Sequence, residues 1–318
     1  MPQRRDAGVT SLLRSKSRAM RELAETIGKI AQHDVSVLLI GESGAGKDYI
    51  AEVIHALGAR ATQPFIRIDS GSIPPDLFES ELFGYEAGAF TDARVRKIGR
   101  LELAHRGSLY FDEISSLHPS LQPKLLRVLQ DRKFTRLGGS RTLDVDARII
   151  SSSSVEPDVL IAAGALRRDL LYRLNVVTLR IPPLRQRLED LPRLATTFLR
   201  EASKQRGSVV RTFEPEAMAM LRDYAWPGNI RELRNVVERA ALMEDGPKIT
   251  RASITLERSD PRDIAARAMS ERWTLDQLEA HYIRDVLQQT RANYSRAAEL
   301  LGINRKTLLE KRKKYGIE

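Results

Sequence analysis

The apolar run Val35-Ser36-Val37-Leu38-Leu39-Ile40 passes directly into Gly41-Glu42-Ser43-Gly44-Ala45-Gly46-Lys47-Asp48. A short apolar run ending in a glycine-rich turn with a lysine predicts a buried strand, a phosphate loop and a helix start. In such a loop the glycines let successive N–H groups face phosphate oxygens, the helix adds its positive N-terminal end, and the lysine ammonium reaches the terminal phosphates. Nucleotide phosphate is therefore the expected ligand of residues 41–47. Position 48 departs from the common motif, which has Ser or Thr there to hold Mg²⁺, whereas this chain has Asp48.

A chain of 318 residues has room for two domains and a small third. Its 42% hydrophobic and 30% charged content places it among soluble globular proteins, and it lacks any apolar run long enough to span a membrane. The formal net charge of +10 favours an acidic partner, nucleic acid first. The absence of cysteine excludes disulfides, zinc–thiolate sites and thiol catalysis, and the five histidines are scattered without ligand spacing. Residues 1–17 form a basic tail without the apolar core of a signal peptide, so a cytoplasmic protein is expected.

Along the chain, helical spacing over Met20–Ile30 precedes the first strand, and Ile50, Val53, Ile54 and Leu57 form one face of the helix after the loop. A second strand over Pro64–Asp69 and a helix over Pro75–Phe83 follow, the order of an α/β domain with a mainly parallel sheet. Small residues then surround a single Phe90 in Gly84–Ala93, either a loop with an apolar tip at Phe90 or a ring tucked into the core. Ser108–Glu113 reads as a strand ending in paired carboxylates, the shape of a Walker B element in which Asp112 helps hold Mg²⁺ and Glu113 polarises the attacking water. A helix over Gln122–Gln130, a hairpin or projecting loop over Phe134–Thr142 and a strand over Ala147–Ser152 come next. Leu166–Arg173 reads as a helix with Arg167 and Arg173 less than two turns apart, on its own an exposed basic helix.

Residues 191–243 read as three helices without strand signal. In the turn Trp226-Pro227-Gly228-Asn229, Asn229 is the expected N-cap of the third. Arg231 in the first turn opposes the helix dipole, which fits either an anion partner or a solvated arginine. Residues 244–272 are polar and broken by glycine and proline, a linker. The end of the chain reads as helix, short helix, Gly302 turn and a basic helix capped by Asn304. This is a helix-turn-helix whose Asn304, Arg305, Lys306, Lys311 and Arg312 face DNA.

In this order the motifs resemble those of bacterial enhancer-binding proteins, sigma-54-dependent transcriptional activators of the AAA+ superfamily. The resemblance rests on the phosphate loop with its acid after the lysine, on Glu79-Ser80-Glu81-Leu82-Phe83-Gly84 leading into Gly88-Ala89-Phe90-Thr91-Asp92-Ala93, on Asp112-Glu113 and on the terminal helix-turn-helix. It implies an AAA+ P-loop core over residues 18–185, a helical lid over 186–250, a linker over 251–272 and a Fis-like helix-turn-helix over 273–318. It implies ATP and Mg²⁺ as cofactors, sigma contact through Gly88, Ala89, Phe90, Thr91, Asp92 and Ala93, and a second loop over Phe134–Arg141. Arg167 and Arg173 match arginines that act on a neighbouring subunit's ATP, and Arg231 matches the sensor arginine of the lid. The implied protein binds upstream DNA, forms a ring, typically a hexamer, and uses ATP hydrolysis to open promoters closed by sigma-54 RNA polymerase holoenzyme.

The segment ahead of the loop is too short for a sensory domain. Control is therefore expected from a regulatory protein acting in trans, from expression, or not at all in a constitutively active ring. Three positions depart from the family pattern. Asp92 replaces a glycine, Asp69 replaces an asparagine that restrains the catalytic glutamate, and Ser153-Ser154 replaces Thr-Asn. The expectation is weaker sigma contact, a second carboxylate near Glu113 and slower or differently coupled hydrolysis. The alternative is a DNA-binding regulator that keeps the fold but acts independently of sigma-54.

Overall fold

Alternation along the strands decides the architecture. In β1 (Val37–Ile40) all four residues are buried, with Leu38 and Ile40 joining one apolar cluster and Val37 and Leu39 another. A strand buried on both faces needs cover on both, and the computed structural model supplies it. The structure describes residues 15–71, 73–205, 212–244, 246–256, 268–269, 273–290 and 293–317. Of the segments read as tail and linker, residues 1–14, 245, 257–267 and 270–272 lie outside these.

The other strands of the main sheet are β2 (Phe65–Asp69), β3 (Ser108–Asp112), β4 (Arg148–Ser153) and β5 (Val177–Arg180). All pair in parallel in the order β2-β3-β4-β1-β5. The register sets Asp69 beside Asp112, and Ile40 beside both Ser153 and Arg180, so the carboxyl ends line one edge. In an open α/β sheet that edge is where ligands bind. Helices Arg18–Ala31 and Lys47–Leu57 cover one face, burying Leu23, Ile27, Ile50 and Ile54 against Tyr110 and Ile150. Helices Pro75–Phe83, Gln122–Asp131 and Arg168–Leu174 cover the other around Phe78, Leu125, Leu170 and Phe111.

Several elements differ from the sequence expectation. β3 stops at Asp112 because Glu113 turns into the left-handed region with φ 58°. β5 was not expected: its Val-Thr-Leu-Arg run is short and half polar, as an edge strand allows. Two-residue strands Thr212–Phe213 and Lys248–Ile249 pair in parallel, one between expected lid helices and the other in the expected linker, both too short to leave a periodic signal.

The three lid helices are Leu191–Gln205, Pro215–Arg222 and Asn229–Met243, with Ala195, Leu199, Leu221, Trp226, Leu233 and Val237 buried. The chain divides into two compact units at Ile254/Thr255. In the second, helices Leu275–Gln289, Tyr294–Leu300 and Arg305–Lys314 enclose Ile283, Leu287, Ala298, Leu308 and Ile317, and Gly302 makes the turn at φ 64°. Among the described residues, no helix is long and apolar enough to cross a membrane.

Candidate nucleotide site, loop pair and nucleic-acid helix

The phosphate loop leaves β1 at Gly41, whose N–H donates to the Ser153 carbonyl (3.2 Å), and Gly46 precedes the helix that begins with Lys47. Gly44 is required twice over: its φ is 74°, and a Cβ there would lie 2.4 Å from the Gly228 carbonyl oxygen. Lys47 is buried, and its Nζ donates to the carbonyls of Gly41 (2.7 Å) and Glu42 (3.2 Å). Burial lowers its pKa, partly offset by the Glu113 carboxylate 3.8 Å away. Gly41, Glu42, Ser43, Gly44, Ala45, Gly46 and Lys47 thus curve around one point at the carboxyl edge of the sheet.

Two carboxylates face that point from different elements. Asp112 accepts from Ser152 Oγ (2.8 Å), and the buried Tyr110 hydroxyl lies 3.0 Å from both Asp112 and Asp48. Burial pushes the Tyr110 phenol up, so it stays a protonated donor. The Arg67 guanidinium completes the cluster, bonding Asp48 at 2.7 Å and also Asp112. Among the described residues no group of three His, Cys, Asp or Glu side chains could hold a metal. A pair of hard carboxylates still fits Mg²⁺, which commonly takes one or two carboxylates and completes its octahedron with phosphate and water oxygens.

Glu113 is fixed from both ends. Its N–H donates to Ser152 Oγ (3.0 Å), and its carboxylate accepts from the Ser154 N–H (2.8 Å) and the Ser115 hydroxyl. The Asp69 carboxylate accepts from the Gly71 N–H (2.9 Å), a local turn bond. Ser154 meets the glutamate through its backbone N–H.

The lid is stapled to the loop. Ile230 N–H donates to the Gly44 carbonyl (3.0 Å), Arg231 Nη1 to Ser43 Oγ (3.0 Å), and Arg185 pairs with Glu42 (2.6 Å). Asn229 is not the N-cap but the first helical residue, fully buried at φ 54°. Its amide donates to Glu42 (3.0 Å) and the Ser43 carbonyl (3.1 Å), and its oxygen accepts from Leu184 N–H (2.8 Å). Tertiary bonds to the loop outcompete the local capping bond. Instead, the Gly228 N–H is satisfied by Glu232 (2.8 Å). Arg187, buried, donates to the Ala45 carbonyl at 2.7 Å.

Arg167 and Arg173 bond elsewhere within the chain. Arg167 precedes its helix and pairs with Asp169 (2.7 Å), and Arg173 donates to the Leu129 carbonyl (3.1 Å).

On the opposite-face layer, Gly84–Tyr85 pairs with Lys97–Ile98 and carries the loop that follows. Gly88 N–H donates to Ala93 O (2.7 Å), and Ala89 N–H to Glu86 O (3.2 Å). Ala93 is buried, Thr91 and Asp92 are exposed, and Phe90 is 45% exposed, edge-on to Tyr85 at 4.9 Å. Phe90 is therefore a tip residue rather than a core one. Asp92 lies outside the left-handed region, so the loop does not draw on the freedom a glycine would bring there. The hairpin of Lys133–Thr135 and Thr142–Asp144 supports it: Glu86 N–H donates to Leu137 O, Leu137 N–H donates to Gly84 O, and buried Arg136 pairs with both Glu86 and Glu102.

In the second unit, Asn304 caps the last helix through Thr307 N–H (2.8 Å), and Arg305 and Lys306 are exposed. Lys311 is instead paired with Glu279 (2.7 Å), and Arg312 donates to the Ile317 carbonyl (2.8 Å) with its guanidinium over the Tyr294 ring. The basic run thus divides into outward charges and internal clamps.

Residues 13–180 match the Sigma-54 interaction domain, 185–270 the AAA+ ATPase lid domain and 274–315 the Bacterial regulatory protein, Fis family. The regulatory protein AtoC of Escherichia coli strain K12 is 41% identical over 311 residues, covering 96% of this chain and 68% of AtoC. The transcriptional regulatory protein ZraR of Salmonella typhimurium is 42% identical over 300 residues, covering 93% of this chain and 67% of ZraR. Crystal structures of NtrX from Brucella abortus with ADP and with ATP each superpose with a TM-score of 0.71 at 38% identity, covering 95% of this chain and 68% and 69% of NtrX. The chain belongs to the family of sigma-54-dependent transcriptional regulators, with an AAA+ α/β core, a helical lid and a Fis-type helix-turn-helix.

Arg67, Tyr110, Ser152 and Arg185 were not singled out from the sequence, and Asn229 was expected only as a helix cap. Only Arg67 left a signal, a charged residue within an otherwise apolar strand that shares its face with Asp69.

Proposed function

We propose that the chain is an ATPase whose hydrolysis drives opening of sigma-54 promoters from a DNA-bound ring. The observation that carries this is the convergence of Lys47, Asp112, Glu113 and Arg231 on one loop at the carboxyl edge of the sheet. In this reading the loop N–H groups and Lys47 hold the β- and γ-phosphates, and Asp112 with Asp48 holds Mg²⁺. The cation supplies charge neutralisation on the phosphate oxygens. Glu113, oriented by Ser154 N–H and Ser115, aligns and polarises the attacking water. Arg231 reports the nucleotide state to the lid through Ser43.

Arg167 and Arg173 complete a neighbour's site in a ring, hexameric by family resemblance, leaving their internal bonds to Asp169 and Leu129. Phe90 and Thr91 form the tip that meets sigma-54 RNA polymerase holoenzyme in the cytoplasm, and the hairpin bearing Arg136 transmits the stroke. Control by a regulatory protein in trans is compatible with this arrangement.

Replacing Phe90 by alanine is expected to abolish ATP-dependent open-complex formation while ATP turnover stays within about twofold, since the Phe90 side chain is half exposed and its ring contact is with Tyr85. Permanganate footprinting beside a steady-state ATPase assay reads both. DNA binding without ATP-dependent opening by the wild type would support the sigma-54-independent alternative.

The DNA contact has its own test. Lys306→Ala is expected to weaken binding to the upstream site and reduce the slope of log K against log salt by about one. Lys311→Ala is expected to lower the unit's stability instead, because Lys311 is committed to Glu279. Equal slope changes in the two variants would contradict this division.

A further inference from the structure

Arg67 sits on β2, the sheet's edge strand, where the register pairs it with Tyr110 on the face that also carries Asp112. Its guanidinium carbon lies 5.8 Å from the centre of the Tyr110 ring, and its two terminal nitrogens reach different carboxylates, Nη1 to Asp48 at 2.7 Å and Nη2 to Asp112. The Tyr110 hydroxyl, 3.0 Å from each carboxylate, closes the same triangle from the sheet side. One planar cation thus bridges an acid from the phosphate-loop helix and an acid from the end of β3.

We propose that Arg67 is a built-in counter-ion that competes with the divalent cation for Asp48 and Asp112, so that metal entry and guanidinium release are one coupled step. The inference rests on the reading that Asp112 binds the cation.

The chemistry supports exchange rather than sharing. A guanidinium does not deprotonate, so its charge is removed only by displacement. Mg²⁺ demands carboxylate oxygens at short range in octahedral geometry, and a cation already bonded to those oxygens both blocks and repels it. The Arg67 side chain is 45% exposed at a sheet edge, which leaves it a way out into solvent. Without metal, the guanidinium offsets the two negative charges that would otherwise repel the nucleotide phosphates. The two consequences have opposite signs: Arg67 weakens metal binding and strengthens metal-free nucleotide binding.

The test uses the full chain with saturating ADP and Mn²⁺ as the probe, its free fraction read by electron paramagnetic resonance. ADP affinity in EDTA is read by calorimetry. Arg67→Gln is expected to bind Mn²⁺ about tenfold more tightly than the wild type and ADP in EDTA about threefold more weakly. Arg67→Lys, whose single ammonium cannot span both acids, is expected to move Mn²⁺ affinity the same way by less, and it decides the matter should the glutamine variant not fold. Asp112→Asn is expected to weaken Mn²⁺ binding. Mn²⁺ affinity unchanged in Asp112→Asn overturns the metal assignment itself. Weakened binding in Asp112→Asn with unchanged or weaker binding in the Arg67 variants overturns the counter-ion alone.

Discussion

Glu113→Gln is expected to lower the rate of ATP hydrolysis by about 10²–10⁴-fold, the usual weight of a positioned general base, with ATP affinity held within about threefold. The substitution is nearly isosteric. The glutamine carbonyl can still accept from the Ser154 N–H that now holds the carboxylate at 2.8 Å, and the Glu113 N–H keeps its bond to Ser152. The charge to which the proposed mechanism gives the polarising of water is lost, while the phosphate loop and Lys47 keep their contacts. Single-turnover hydrolysis and equilibrium ATP binding, measured on the same preparation, separate the two effects. A loss below tenfold would assign the water to another group.

The second large effect is structural. Trp226 is fully buried in the lid, its Nε1 donates to the Leu221 carbonyl at 2.8 Å, and its ring meets Tyr224 edge-on at 5.0 Å. Trp226→Ala removes the largest side chain of the lid core and is expected to cost about 3–5 kcal/mol. The cost reaches the nucleotide because the Trp226 carbonyl accepts from the Asn229 N–H (2.9 Å), and Asn229 in turn bonds Glu42, Ser43 and Leu184. Calorimetric unfolding is expected to reveal an earlier transition that ATP restores only in part, and ATP affinity is expected to fall with it. Trp226→Phe, which keeps most of the volume and loses the Nε1 bond, is expected to cost about 1–2 kcal/mol. A lid loosened by Trp226→Ala with unchanged ATP affinity would contradict the staple.

The sequence made the strand edges legible because apolar runs and glycine spacing are local properties. Val37–Ile40, the loop from Gly41 to Lys47 and the acids at Asp112 and Glu113 follow from such short-range rules. The clamps on those residues did not, because they join segments far apart in sequence. Asn229 obeys the pattern of an N-cap, yet its amide is spent on Glu42 and Ser43, and no local rule reveals that choice. Arg67 stands in a strand whose face toward the acids is fixed by its register with Tyr110. The terminal basic run shows the same limit: charge alone does not separate Lys306, exposed, from Lys311, bonded to Glu279. Asp69 and Asp92 depart from the family pattern, and in the structure Asp69 accepts from the Gly71 N–H while Asp92 lies outside the left-handed region.

The proposed function makes one central claim about action, that energy taken at Gly41–Lys47 is delivered at Phe90. Promoter opening tests it most directly. Purified protein is added to sigma-54 holoenzyme on a promoter carrying its upstream site, and single-stranded thymines are mapped with permanganate in the presence of ATP or a non-hydrolysable analogue. Opening with ATP, absent with the analogue and absent with Glu113→Gln, is the predicted result. Opening that proceeds equally with the analogue, or DNA occupancy that never leads to opening under ATP, would contradict it.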